Sequence, residues 1–289
     1  MSPNPGQTMD RLSPLFERFR VNAHLFHAGA LCGTTHFDAK AGRGFLHVLR
    51  RGEMVLTHRP RSGVPRKIKV VEPTLLFYPQ PLDHQFHSDL VEGADFVCAT
   101  LDFEGGNRHP VVAALPAVLV LPLRSIQGLE QTLALLFAET EHVRCGQPLL
   151  ANRLFEVLLL QLLRWLLDHP DEAGITGGTI CGLAHPKLSR TLTAIHESPG
   201  GEWALGSMAD TAGMSRSAFA AEFKSQVGVT PAEYLLQWRV SLAQSMFLSG
   251  ESLKVASEKL GYASAASFSR AFAQSVGESP SAWLQTHKR

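Results

Sequence analysis

The run Gly261-Tyr-Ala-Ser264-Ala-Ala266-Ser267-Phe268-Ser-Arg270-Ala-Phe272 decides how this chain is read, because an earlier copy of it stands about 47 to 49 residues upstream. Met208-Ala209 matches Val255-Ala256, Gly213 matches Gly261, and Phe219 and Phe223 match Phe268 and Phe272. Further on, Gly228 matches Gly277, Pro231 matches Pro280 and Tyr234 matches Trp283. Self-similarity at a nearly fixed offset marks one supersecondary unit used twice.

Each copy runs through a short apolar helix, a glycine, a serine within three residues, and a second helix with two phenylalanines one turn apart. A residue without Cβ takes positive φ cheaply, so Gly213 and Gly261 suit the turn between helices. Ser215 and Ser264 stand where N-caps belong and can accept bonds from the first free amides of the helix that follows. The phenylalanine pairs face inward, which leaves Arg216, Ser217, Ala220 or Ala221 and Lys224 outward in the first copy. In the second copy the outward residues are Ala266, Ser267, Arg270 and Gln274. A helix presented this way fits a major groove. Arginine reads guanine edges there for roughly 1–3 kcal/mol of discrimination, while lysine and serine hold phosphates. The expected DNA-contacting set is Arg216, Ser217, Ala221, Lys224, Ser264, Ala266, Ser267 and Arg270, with Arg270 the base reader. Paired phenylalanines alone would be ordinary helical core; two copies in register are what favour the groove-binding reading.

From Leu205 to Leu284 the chain resembles the DNA-binding domain of the AraC/XylS family, including Arg239 and Ala243 on the connecting segment and Gly277, Ser279, Pro280 and Trp283 after the second copy. The resemblance implies seven helices, one of them long, from about Ala232 to Leu248, holding two helix-turn-helix units rigidly for successive major grooves. Grooves on one face of a duplex recur every 34–36 Å or so, which would fix the spacing of two half-sites. The chain departs from the family where Ala220, Ala221 and Glu222 stand in the first recognition helix. Base reading therefore falls to the second unit, and phosphate contact to the first.

Upstream, from Val21 to about Pro122, short apolar runs alternate with Gly, Pro and charged clusters: Gly44-Phe-Leu-His-Val-Leu, Glu53-Met-Val-Leu-Thr-His, Thr74-Leu-Leu-Phe-Tyr and Asp95-Phe-Val-Cys-Ala-Thr-Leu-Asp-Phe. That pattern predicts a β-sandwich or barrel. Past Pro122 the period becomes helical, through Leu129, Leu133, Leu136 and Phe137, then Leu150, Leu154, Val157, Leu158 and Leu162. Two antiparallel helices split near Gly146 and Pro148 are expected. The second is apolar almost all round, so its own domain or a partner chain must cover it. From His169 to His185, glycines 174, 177, 178 and 182 argue against a helix and for a linker.

The strand-rich half resembles the cupin-like sensor domain of one branch of AraC-family regulators, through Leu31-Cys32-Gly33, Phe45-Leu-His47-Val-Leu, Phe77-Tyr-Pro-Gln-Pro-Leu-Asp-His84, Val97-Cys98 and Ala114-Leu-Pro116. Pro81 stands where the wider superfamily has glycine. In such a barrel Cys32, His47, His84 and Cys98 can converge from four strands, as a tetrahedral zinc site or as an oxidant-sensing thiol pair of lowered pKa. The cysteines can equally be small apolar fillers, and the histidines satisfied barrel residues or the wall of an organic-ligand pocket. His36 and His87 are spare candidates.

The formal charge of +1 and a pI near 7.8 do not by themselves point to nucleic acid. From Ala184 onward ten Lys or Arg face eight Asp or Glu, so binding is expected to need a dimer or tandem sites. Nothing at the N-terminus has signal-peptide form, and Arg153, Glu156, Gln161 and Arg164 interrupt the leucine-rich stretch. A cytoplasmic protein without membrane segments is expected, its cysteines reduced. A metal-dependent cupin enzyme with a DNA-binding tail is the alternative; it needs a facial His and carboxylate set, and no His-x-His with a following Glu is present. A constitutive DNA-bending dimer with a vestigial barrel is a third.

The expected fold is α+β with two domains: a cupin-like β-sandwich or barrel over 1–122, a helical dimerisation segment over 123–170, a linker over 171–184, and an all-α domain with two helix-turn-helix motifs over 185–289. The expected function is an effector-controlled, sequence-specific transcription regulator, an activator. Promoter DNA, RNA polymerase and a second copy of the chain are its expected partners.

Overall fold

The computed structural model describes residues 9–40, 42–104, 106 and 109–287. The outer ends of the expected first and last domains, 1–8 and 288–289, lie outside these. Two compact units result: Val21–Asn107 with Leu115–Ile175, and Met1–Arg20 with Arg108–Ala114 and Thr176–Arg289. Elements are numbered along the chain. The short helices α1 (Ser13–Phe16) and α2 (Pro110–Ala113) belong to the second, helical unit.

Among the described residues the first unit holds nine strands: β1 (Val21–Leu31), β2 (Thr34–Phe37), β3 (Arg43–Arg51), β4 (Met54–His58), β5 (Lys67–Val70), β6 (Thr74–Tyr78), β7 (His84–Ser88), β8 (Ala94–Phe103) and β9 (Leu119–Pro122). They form two antiparallel sheets, ordered β1-β8-β3-β6-β9 and β2-β7-β4-β5. Phe37, Met54, Leu56 and Phe86 of one sheet pack with Phe45, Leu76, Tyr78, Phe96 and Cys98 of the other in a single core. Most of β3 and all of β6 are buried on both faces, which is why their sequences read as continuous apolar runs rather than alternating ones.

Two helices complete this unit, α3 (Glu130–Thr140) and α4 (Gln147–Asp168), packed on each other. Gly146, at φ 80°, turns the chain between them, and Pro148 sits in the first turn of α4. Strand β1 is a sheet edge, and α4 covers it: Leu25 N–H donates to Asn152 Oδ1 at 2.7 Å and Ala23 N–H to Glu156 Oε1 at 3.4 Å. The inward face of α4, including Phe155, Leu158, Leu159, Leu162 and Leu166, is buried. Leu150, Val157 and Leu160 share the opposite face and are exposed.

The helical unit contains α5 (Thr179–Ala184), α6 (Leu188–Glu197), α7 (Leu205–Ala212), α8 (Arg216–Val227), α9 (Pro231–Leu248), α10 (Leu253–Lys259), α11 (Ala265–Val276) and α12 (Pro280–His287). From α6 to α12 these are the seven helices implied by the resemblance, with α9 the long one.

The expected linker, 171–184, is corrected at its C-terminal end. Thr179–Ala184 is a helix with five of its residues buried. Gly182 is there for close packing: a Cβ at this position would stand 2.6 Å from Leu192 Cδ1 and 2.8 Å from Val227 Cγ2. At the other end of the expected first domain, residues 9–20 pack in the helical unit. Leu12, Leu15 and Phe19 are buried, Phe19 lies 5.2 Å from the Trp238 ring, and Arg18 donates to the last carbonyls of α6, His196 at 2.9 Å and Glu197 at 2.8 Å.

Candidate functional site

The C-terminal surface follows from its caps. Gly213 adopts φ 64° after α7, and Ser215 then caps α8, accepting from Ala218 N–H at 3.4 Å. The second copy repeats this: Gly261 at φ 76°, then Ser264 accepting from Ser267 N–H at 3.1 Å. Ser267 Oγ donates back to the Ser264 carbonyl at 2.7 Å. These two serines, expected at DNA, are thus committed to starting α11 in the orientation it has.

Phe219, Phe223, Phe268 and Phe272 are fully buried. Each such ring contributes about 1.5–3 kcal/mol by leaving water. With those faces fixed inward, Ser217, Ala221, Lys224, Ala266, Arg270 and Gln274 are all exposed. Arg270 makes no ion pair or hydrogen bond to any described residue, so all five donors are available. Arg216 is exposed but lies back across α7: a Cβ on Gly206 would stand 3.0 Å from its Nη2. Glu222, the family departure, turns sideways, accepting from Gln226 at 3.1 Å and sitting 3.5 Å from His185 Nε2.

Helix α9 touches both copies, packing against α7 and α8 on one side and α10, α11 and α12 on the other. Arg239, in its middle, adds a second joint. Its Nε donates to Pro199 O at 2.8 Å, its Nη2 to Gly201 O at 2.9 Å, and its guanidinium lies 5.3 Å from the Tyr262 ring centre. The joint had no sequence signal beyond the family match of Arg239, since the loop it grips is 40 residues away.

In the sandwich, the four-residue set expected at the sensor site is corrected. His47 and His84 do meet, Nε2 to Nε2 at 3.1 Å. Cys98 stands opposite His47 in the ladder, buried among core rings. Cys32 is elsewhere: it is exposed just beyond β1, its Sγ beside Gly93. Leu31 pairs with Ala94, so Cys98 is four residues further along β8, about 13 Å at the usual rise, too far for a thiol pair. Burial also pushes the Cys98 thiol up, the reverse of an activated thiolate. Among the described residues no three His, Cys, Asp or Glu side chains are grouped to hold a metal, so the donor set for zinc does not fit.

What the histidines form instead is a directed hydrogen-bond chain. His84 Nδ1 lies 2.8 Å from the Leu82 carbonyl and must donate to it, which leaves Nε2 as an acceptor. His47 Nε2 therefore donates to His84, and its own Nδ1 is an acceptor with no partner among the described residues. Burial, and next the neighbouring histidines, hold His47 well below the ordinary value; burial lowers His84 to about 4. His58 is placed likewise, donating Nδ1 to Pro65 O at 2.7 Å and taking the Tyr78 hydroxyl on Nε2 at 3.0 Å.

His84 and His58 also line a cavity of about 320 Å³ at the end of the four-stranded sheet, together with His36, Thr57, Arg59, Arg66, Asp83 and Gln85. Sequence reading named His84 and, as a spare, His36. It missed Arg66 and Gln85, whose only signal is cross-strand register: Gln85 lies between His36 and Thr57.

Comparison with known proteins agrees with both halves. A cupin family model matches residues 10–168, over half of the chain, and a helix-turn-helix domain model matches 208–286. The RCS-specific HTH-type transcriptional activator RclR of Escherichia coli K12 is 30% identical over 213 residues, 71% of this chain and 73% of that protein. The chain belongs to the AraC-like family of transcription regulators. An AraC-like regulator of Streptomyces lividans is 32% identical over 194 residues, 65% of this chain. The match spans 63% of that relative's length and 55% of a second AraC-like regulator, from Streptomyces antibioticus. ToxT of Vibrio cholerae O395 aligns at 13% identity over 93% of this chain and 98% of its own, with a TM-score of 0.39. Among the described residues of this AraC-like chain, no helix is long and apolar enough to cross a membrane.

Proposed function

We propose that the protein is a sequence-specific DNA-binding regulator of transcription whose DNA binding is set by an effector at the cupin-like unit. One observation carries this: two helix-turn-helix units, capped alike and joined through α9, each present an outward helix, and the second offers the unpaired guanidinium of Arg270. Arg270 reads bases; Ser217, Lys224 and the helix N-termini hold phosphates. Arg216, Ala221, Ser264, Ala266 and Ser267 complete the interface, the two serines through their caps. The Escherichia coli relative is a transcriptional activator by name, which supports activation here and, with it, contact to RNA polymerase. We place the protein in the cytoplasm as a homodimer paired through Leu150, Val157 and Leu160 of α4, and assign it no catalytic role. The names of the Streptomyces lividans and Escherichia coli relatives, both transcription regulators, support the regulatory reading over the enzyme alternative.

Selection of bound duplexes from a random library by the full-length protein, followed by footprinting, tests this. Enrichment of a motif spanning two successive major grooves is the expected result. Equal retention of all sequences would reject it.

A further inference from the structure

The cavity at the rim of the four-stranded sheet has an unbalanced set of bonding groups. His58 and His84 use both ring nitrogens internally, and the Thr57 hydroxyl is engaged by His87 Nε2 at 2.8 Å. Arg59 is neutralised by Asp83 at 2.9 Å, and the other Asp83 oxygen accepts from Ala39 N–H at 2.7 Å. His36 Nε2 faces Asp38 Oδ1 at 3.8 Å, which leaves Arg66 and the Gln85 carboxamide, neither of them engaged by any described residue. The lining thus carries two arginines against one aspartate, and its free donors converge from the segment before β5 and from β7. A planar guanidinium fork beside an amide N–H matches a carboxylate, which Arg binds through two parallel bonds. The interior of the sandwich is filled by rings, so the rim offers the room: about 320 Å³ is roughly ten water volumes at ~30 Å³ each, space for a small metabolite.

We propose that this rim cavity binds a small organic carboxylate, with Arg66 as its counter-ion and Gln85 as a second donor. As a regulatory site it rests on the reading of the cupin-like unit as the sensor. Neutral isosteres bind more weakly, because they cannot form the charge-assisted, two-bond pair with the guanidinium.

Calorimetric titration of the full-length protein with benzoate and succinate, each beside its amide, and with inorganic phosphate, tests it. At least one acid is expected to bind and its amide more weakly, with affinity for the acid falling about tenfold or more in Arg66→Gln and less in Arg66→Lys; a tenfold loss corresponds to about 1.4 kcal/mol. Arg66 is exposed, so both variants should fold as wild type. Binding of neither acid, equal binding of acid and amide, phosphate as the sole ligand, or unchanged affinity in Arg66→Gln would each overturn the proposal. The sensor reading fails separately: acid that binds through Arg66 yet leaves DNA affinity unchanged removes the regulation and keeps the site.

Discussion

Gly200 and Gly261 meet backbone to backbone: a Cβ built on Gly261 would overlap the Gly200 carbonyl, and one on Gly200 would overlap the carbonyl of Lys259. The loop before the first helix-turn-helix unit is thereby seated on the turn of the second. Gly261→Ala should destabilise the helical unit by about 2 kcal/mol or more, from a positive φ and a backbone clash together. Urea unfolding checks this; a loss under about 0.5 kcal/mol would mean that the loop moves aside freely.

Arg239→Lys keeps the charge but loses the fork that bonds Pro199 and Gly201. A stability loss of about 1–2 kcal/mol is expected. Affinity for a duplex with both half-sites should fall more than affinity for one half-site, because only the former needs the units held in register. Equal losses on the two duplexes would remove Arg239 from that role.

Arg270→Ala should weaken specific binding by roughly 1–3 kcal/mol and relax preference at one base pair. Lys224→Ala, by contrast, should weaken binding evenly across sequences and lower the salt dependence. If the Arg270 variant kept its full sequence preference in a site library, base reading would have to lie elsewhere.

Acid should unfold the protein through its buried histidines. His84 titrates at about 4 and His196 at about 3 in the folded chain, both lowered first by burial, against an ordinary value of 6.5. His84 is faced by His47, His58, His36 and Asp83, and His196 by Arg18 and by the Tyr234 hydroxyl at 2.6 Å. The unfolded chain takes up these protons first, so stability is complete above about pH 6.5, declines as pH falls and levels off below the folded values. His84 alone accounts for about 3 kcal/mol by pH 4. Unfolding midpoints that do not move between pH 7 and pH 5 would contradict the burial of these rings.

Val157→Glu on the exposed face of α4 should convert the proposed dimer to monomer while lowering the unfolding free energy of the single chain by no more than about 0.5 kcal/mol. Sedimentation at several concentrations checks it, and a wild-type chain that stays monomeric throughout would dismiss the interface.

The C-terminal half was largely legible because its signals are local: Gly213 and Gly261 mark turns, Ser215 and Ser264 mark caps, and phenylalanines four apart mark the inner face. Strands β3, β4, β6 and β8 were legible as apolar runs bounded by Gly, Pro or charge; the other strands were not singled out. The sensor site was not. His47 and Cys98 share a ladder row, which alternation suggested, but Cys32 lies past the end of its strand, and only register reveals that. Gly182 misled for a related reason: a glycine that breaks a helix and one that lets two helices touch look alike until the partner, Leu192, is in place. Arg18 and Phe19 fall in the expected first domain yet pack in the helical unit, because no local pattern says which core a short apolar segment joins.

The ring-filled interior of the sandwich bears on how such a protein diverges between lineages. Phe37, Phe45, Phe86 and Phe96 carry the stability of that unit, whereas Arg59, Arg66 and Gln85 stand at strand ends and on a loop, where replacement disturbs little. Substitution at the rim should therefore alter what the proposed site binds at little cost to the core. The groups that hold the sandwich together and the groups that would meet a ligand are thereby different residues.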